Sequence, residues 1–235
     1  MEAKKNCKIV IFGESNVGKT CFSNRIIYNH YEDNLNSTSL PSQSTITREL
    51  EGKTICFDIW DTPGQEHYRS LNKLYYKGVD IAILLYSIND KSSFEEIEQY
   101  WFFEIKEHCK SNPSKKLKLI FWCIVFAIVG TKDDLFIDNE VGEKAKEFAQ
   151  KNHCFFALTS AKLNTGIEEL FYELAIAYQK KQKGLPYIQG QTEIEEDNER
   201  KDGIQLSSSK FKKKNKSQCC GQKDKKHIKE ENNEF

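Results

Sequence analysis

The sequence predicts an α/β protein of three layers, a mostly parallel six-stranded sheet flanked by helices. Segments that read as strands alternate with segments that read as helices along most of the chain. The strands include wholly apolar runs such as residues 81–85, which suit a sheet covered on both faces. The first apolar run (Ile9, Val10, Ile11, Phe12) leads directly into Gly13-Glu14-Ser15-Asn16-Val17-Gly18-Lys19-Thr20. That is the G-x-x-x-x-G-K-[ST] pattern of a phosphate-binding loop, which needs a strand before it and a helix after it.

Taken in order, strands are expected near residues 6–12, 45–51, 54–60, 80–87, 119–129 and 153–158, and helices near 19–29, 92–110, 142–152 and 166–182. Ser92-x-x-Glu95 and Thr165-x-x-Glu168 read as capping boxes at two helix starts. After the second, Ile167, Leu170, Phe171, Leu174 and Ala175 recur at helical spacing and give one apolar face to pack on a sheet. The apolar stretch 117–129 is too short to span a bilayer and reads as an extended strand or loop with no dedicated function, an apolar surface patch for a partner being the other reading.

Chemistry concentrates where the predicted strands end. In the phosphate loop, glycines let backbone amides wrap a phosphate at a helix N-terminus, with Lys19 reaching the outer phosphates and Thr20 offering a hydroxyl to Mg²⁺. The loop set comprises Gly13, Ser15, Asn16, Val17, Gly18, Lys19, Thr20 and the following Cys21. Trp60-Asp61-Thr62-Pro63-Gly64-Gln65 closes the third strand. There Asp61 can hold the Mg²⁺ shell, Gly64 can bring its amide to a γ-phosphate, and Gln65 can orient an attacking water. Thr131-Lys132-Asp133-Asp134 ends another apolar run, and the Asp134 carboxylate can accept from both donors of a guanine edge. Adenine would leave that charge unpaired, which a polar site rejects by about 10⁴–10⁵. Ser160-Ala161-Lys162 follows the last strand and can bring a backbone amide to the guanine carbonyl.

These four motifs in this order, together with Tyr75-Tyr76-Lys77-Gly78, His67-Tyr68-Arg69-Ser70-Leu71 and Leu85-Tyr86-Ser87-Ile88-Asn89, resemble the Rab family of the Ras superfamily. The resemblance runs from about residue 5 to 182 and implies the P-loop small GTPase fold. It also implies GTP/GDP as ligand and substrate, Mg²⁺ as cofactor, slow hydrolysis to GDP, and a switch in vesicle trafficking. The implied partners are activating proteins, exchange proteins, and effectors that read switch I and switch II. Counting nineteen residues on from Lys19, as the family does, assigns Thr38 as the switch I ligand of Mg²⁺, and the count back from Trp60 agrees. By the same count Tyr31 matches an aromatic that packs against guanine; a loop anchor is the other reading.

The chain departs from the family at Ser39-Leu40-Pro41, at Pro63 in place of alanine, and at Thr131 in place of the commoner asparagine. Pro63 has no N–H and biases Thr62 toward extended geometry. No arginine lies between Tyr28 and Ile46, and Arg25 falls within the first helix, so no arginine finger in cis is expected. A non-hydrolysing guanine-nucleotide-dependent binding module is the competing class, with Leu40 and Pro63 disabling the timer.

Lys+Arg and Asp+Glu both total 35, so no overall charge points to nucleic acid. Eight cysteines without a C-x-x-C favour a reducing cytoplasmic setting over a metal or disulfide framework. The start of the chain shows no signal peptide. Residues 1–182 are expected to form the nucleotide-binding domain and 183–235 a disordered hypervariable tail, poor in large apolar residues. Its lysines can attract anionic membrane, and Cys219-Cys220 resembles the paired prenylation cysteines of Rab proteins. Fifteen residues follow that pair, so the chain as written is expected to be a poor prenylation substrate, mostly cytosolic.

Overall fold

The computed structural model describes residues 6–33, 35, 38, 40–64, 73–108, 124–135, 140–185 and 187. Its centre is a six-stranded sheet in the order β2-β3-β1-β4-β5-β6. The strands are β1 (Cys7–Phe12), β2 (Ser42–Leu50), β3 (Lys53–Asp61), β4 (Ile81–Ser87), β5 (Val125–Thr131) and β6 (Phe155–Leu158). All pairings are parallel except the β2–β3 hairpin. The helices are α1 (Lys19–Tyr28), α2 (Lys91–Glu96), α3 (Phe102–His108), α4 (Glu140–Lys151) and α5 (Ile167–Gln182). The expected architecture is the one observed.

Strand alternation divides the core into two layers. Cys7, Ile9 and Ile11 of β1, Ile81, Ile83 and Leu85 of β4, and Val125, Ala127 and Val129 of β5 face α1 and α5. Val10 and Phe12, Ala82, Leu84 and Tyr86, and Phe126 and Ile128 face the helical layer of α2, α3 and α4. On α5, Ile167, Leu170, Phe171, Leu174 and Ala175 form the buried stripe that the spacing predicts. Leu174 is fully buried.

Asp80 closes the end of the sheet remote from the phosphate loop. Its carboxylate accepts from the Lys8 amide at 3.2 Å and pairs with Lys181 of α5 at 3.6 Å. Its backbone exchanges hydrogen bonds with Lys8 and Val125, so one residue joins β1, β4, β5 and α5.

Several local expectations are corrected. The helix expected across 92–110 is interrupted by a π-helical turn, Ile97–Trp101, between α2 and α3. One extra residue per turn there rotates the following aromatic residues, and Trp101 and Phe102 both end up buried. Ser92 is not the cap of α2. Asp90 is, its carboxylate accepting from the amides of Ser92 and Ser93, because an acidic side chain two residues earlier reaches both orphan donors. Thr165 does not cap α5 either; its backbone pairs with Ser160, and Gly166 at φ 74° starts the helix without a side-chain cap. β5 extends to Thr131 rather than stopping at 129, and residues 109–123, with the apolar excess, lie outside the described residues. So do residues 188–235, including Cys219 and Cys220.

Leu174→Ala is expected to cost about 2–5 kcal/mol of unfolding free energy, because the α5–sheet seam leaves little room to collapse; urea denaturation measures it.

Candidate functional site

The sequence-named residues gather at one end of the sheet, where β1, β3, β4, β5 and β6 all terminate in the same direction. Gly13, the first residue past β1, has φ 142°, and a Cβ there would lie 2.2 Å from the Leu85 carbonyl oxygen. Only glycine lets the loop leave the sheet so close to β4. α1 begins after Gly18 with no side-chain cap and no acid in its first turn, so its leading amides remain free to receive an anion.

Lys19 is 6% exposed, and its ammonium donates to the Glu14 carbonyl at 2.6 Å. Burial lowers its pKa from 10.5 to about 8, against the opposing pull of Asp61 and Glu14. A shift of that size corresponds to a cost of about 3 kcal/mol for keeping the group charged. An anion in the loop would offset it.

Beside Lys19 three oxygen-bearing side chains converge. The Thr20 hydroxyl donates to Asp61 Oδ2 at 2.7 Å and lies 2.6 Å from the Thr38 hydroxyl. Thr20, Thr38 and Asp61 come from α1, the loop before β2 and the end of β3, so their meeting is a product of the fold. Asp61 Oδ1 is buried with no hydrogen-bond partner among the described residues. Burial raises the Asp61 pKa, while the Thr20 hydrogen bond and Lys19 lower it. Ser15, Asn16, Gly18, Lys19, Thr20, Cys21, Thr38 and Gly64 line one cleft together with Leu35. Gly64 packs directly on the phosphate loop, where a Cβ would sit 2.2 Å from Lys19 Nζ. Pro63 leaves the preceding Thr62 buried, with its hydroxyl bound to the Ile11 carbonyl. Gln65 lies outside the described residues.

A second group borders the first. Thr131, at the end of β5, holds its hydroxyl 2.5 Å from the Val17 carbonyl and 2.9 Å from that of Tyr86, with one proton to share between them. Lys132, at φ 60°, extends across to the Asn16 carbonyl at 2.7 Å. The Ser160 hydroxyl donates to Asp134 Oδ1 at 2.6 Å and accepts from the Leu163 amide. Asp134, Ser160, Ala161 and Lys162 are thus one unit, fastened to the phosphate loop through Thr131 and Lys132. Tyr31 is half-buried, and its hydroxyl bonds Asp33 at 2.7 Å. That bond first of all pushes its pKa up to about 12, with Cys21 and Asp134 near enough to add to it.

One brace escaped the sequence. Trp101 is fully buried on the π-helical turn, and its Nε1–H donates to Glu14 Oε1 at 2.9 Å. The ring also stacks on Phe12, with centroids 5.9 Å apart. An aromatic in a helical pattern reads as core; nothing in the residue order announces that the turn aims it at the phosphate loop.

The chain matches the model of the Ras family over residues 8–180. The chain belongs to the Ras family. Several of its curated relatives carry Rab names. It is 34% identical over 185 residues to the Ras-related protein RABF2a of Arabidopsis thaliana, covering 78% of this chain and 83% of that protein. It is 34% identical over 185 residues to the human Ras-related protein Rab-22A, covering 78% and 89%. It is likewise 34% identical over 180 residues to the GTP-binding protein YPTM2 of Zea mays, covering 76% and 83%. The protein is therefore a Rab-type small GTPase of the Ras superfamily, whose members act in vesicle trafficking with regulators and effectors. Among the described residues of this Rab-type GTPase, no helix is long and apolar enough to cross a membrane.

Thr131→Val keeps the shape but removes the hydroxyl, leaving the Val17 and Tyr86 carbonyls without that donor. A loss of about 1–3 kcal/mol of stability is expected, together with faster release of bound GDP; urea denaturation and a GDP displacement assay read the two effects.

Proposed function

We propose that this chain is a Mg²⁺-dependent GTP/GDP switch, hydrolysing GTP slowly by itself and serving membrane trafficking. The observation that carries this reading is the meeting of Thr20, Thr38 and Asp61 beside the buried Lys19, with one buried carboxylate oxygen left over. Two hydroxyls and a carboxylate are hard oxygen donors. Mg²⁺ takes such ligands and completes its octahedron with phosphate oxygens and water. The residues present fit the ion, which would neutralise charge on the β- and γ-phosphates when bound.

In this reading Gly13, Ser15, Asn16, Val17, Gly18 and Cys21 cradle the phosphates through the loop and the first turn of α1, and Lys19 pairs with the outer ones. Gly64 offers its amide to the γ-phosphate, so loss of that group removes the hold on Gly64. Gln65 orients the attacking water. Asp134 accepts from the guanine edge, Ser160 holds that carboxylate in place, and Thr131 and Lys132 tie it to the phosphates. Ala161 and Lys162 meet the purine carbonyl, and Tyr31 covers the base. Among the described residues neither Arg25 nor Arg48 bonds to Lys19, Thr20, Thr38 or Asp61, which supports slow turnover and an activating protein that supplies the missing cation. Such a contribution is typically about 10³–10⁵ in rate. Residues 1–182 form the switch; the lysines of the tail would attract anionic membrane, while Cys219 and Cys220, followed by fifteen residues, would be poorly prenylated in the chain as written.

Asp134→Asn is expected to weaken GDP binding about a hundredfold or more, since two charge-assisted hydrogen bonds are lost, and to shift preference toward xanthine nucleotide, whose 2-oxo group takes the new amide donor. Competition binding decides this; a wild-type protein that binds ADP as well as GDP refutes the guanine site. Gln65→Leu is expected to keep GTP affinity and slow single-turnover hydrolysis, with and without a Rab-type activating protein. Equal rates for the two proteins in both conditions would remove Gln65 from the mechanism and favour the non-hydrolysing module.

A further inference from the structure

The loop bearing Ser160, Ala161 and Lys162 is held by its carbonyls. The Thr159 oxygen accepts from the Asp133 amide and the Ser160 oxygen from the Thr165 amide, each at 3.1 Å. The next two carbonyls turn toward α1, and both meet Arg25. Nε donates to Ala161 O at 2.8 Å and Nη2 to Lys162 O at 3.4 Å. Nη1 donates to Asn29 O at 3.0 Å, in the left-handed residue that ends α1. The Asn164 side chain adds a contact to Asn29 Oδ1 at 3.4 Å. One planar guanidinium thus fastens the loop to the helix end where the Tyr31 segment departs.

The consequence lies in the amides. In a trans peptide the C=O and the following N–H point in opposite directions, and the described chain has no cis bond. Holding the Ala161 oxygen against α1 therefore turns the Lys162 N–H away from α1. Holding the Ser160 oxygen at the Thr165 bridge directs the Ala161 N–H away from that bridge in the same manner. The Ser160 and Leu163 amides are taken, by Thr165 O and Ser160 Oγ. Those of Ala161 and Lys162 have no backbone acceptor among the described residues.

We infer that Arg25 is a positioning residue for base recognition, orienting the Lys162 amide, next to the Ala161 amide that the Thr165 bridge sets, toward the 6-oxo group of a bound guanine. The inference rests on the guanine reading proposed above. Lysine could not replace it in full, because a single ammonium on a flexible stem cannot hold three carbonyls in one plane.

The test compares GDP with 2-aminopurine riboside diphosphate on the full chain; the analogue keeps the 2-amino group and lacks the 6-oxo group together with the N1–H that Asp134 reads, the latter loss being common to every variant. Wild type should prefer GDP. Arg25→Gln should shrink that preference about tenfold, the worth of one well-made hydrogen bond, chiefly through faster GDP release. Arg25→Lys should lie between them and, keeping the stem and the charge, still reports if the glutamine variant does not fold. A merely structural role for Arg25 weakens both nucleotides by the same factor; that result, or an unchanged preference in both variants, overturns the inference. If wild type does not distinguish GDP from ADP, the guanine reading itself fails and this inference falls with it.

Discussion

A lysine ammonium held almost out of water governs the rest of this molecule. Lys19 is 6% exposed and donates to a carbonyl of its own loop. Such a charge is tolerable only where partial negative charge surrounds it and an anion can approach. Each neighbouring feature answers that demand. Gly13 permits the tight exit from β1, the uncapped start of α1 leaves amides open, Asp61 and Glu14 supply the balancing field, and Gly64 has no side chain to compete for the space. The sheet then sets the distance at which all of these meet.

The plan of the fold and the place of the site were legible in the residue order because both rest on local patterns. Apolar runs of strand length, the spacing of glycines around Lys19, and short motifs at strand ends need no knowledge of distant contacts. Thr38 was found by counting, and it lies 2.6 Å from Thr20. What stayed hidden depends on tertiary geometry. The π-helical turn at Ile97–Trp101 has no sequence signature here, yet it alone brings the Trp101 indole to Glu14. Asp90 rather than Ser92 caps α2, and Thr165 is drawn into a backbone bridge, since each choice is settled by which donors the surrounding chain leaves free.

Thr131 shows how a departure from a family's usual residue can be read physically. Its hydroxyl spans the Val17 and Tyr86 carbonyls, so it joins the phosphate loop to β4 and β5 through a group with a single proton. Pro63 is similar in kind. It removes one amide but leaves Thr62 bound to Ile11 and Gly64 against the loop, so the segment keeps its anchor on β1.

The two ends of the sheet are closed by opposite means. At the far end Asp80 satisfies the Lys8 amide, the Lys181 ammonium and two strand backbones from within the chain. At the near end a buried cation and a carboxylate oxygen without a hydrogen-bond partner among the described residues are suited to being completed from outside. Resistance to opening is therefore graded along the strands: intrinsic at the base, and set at the rim by how much ligand the surroundings contain. Deprived of ligand, the molecule should loosen from the rim inward while its base keeps the strand order in register. An empty chain would then be a partly opened one, poised to be refilled rather than refolded.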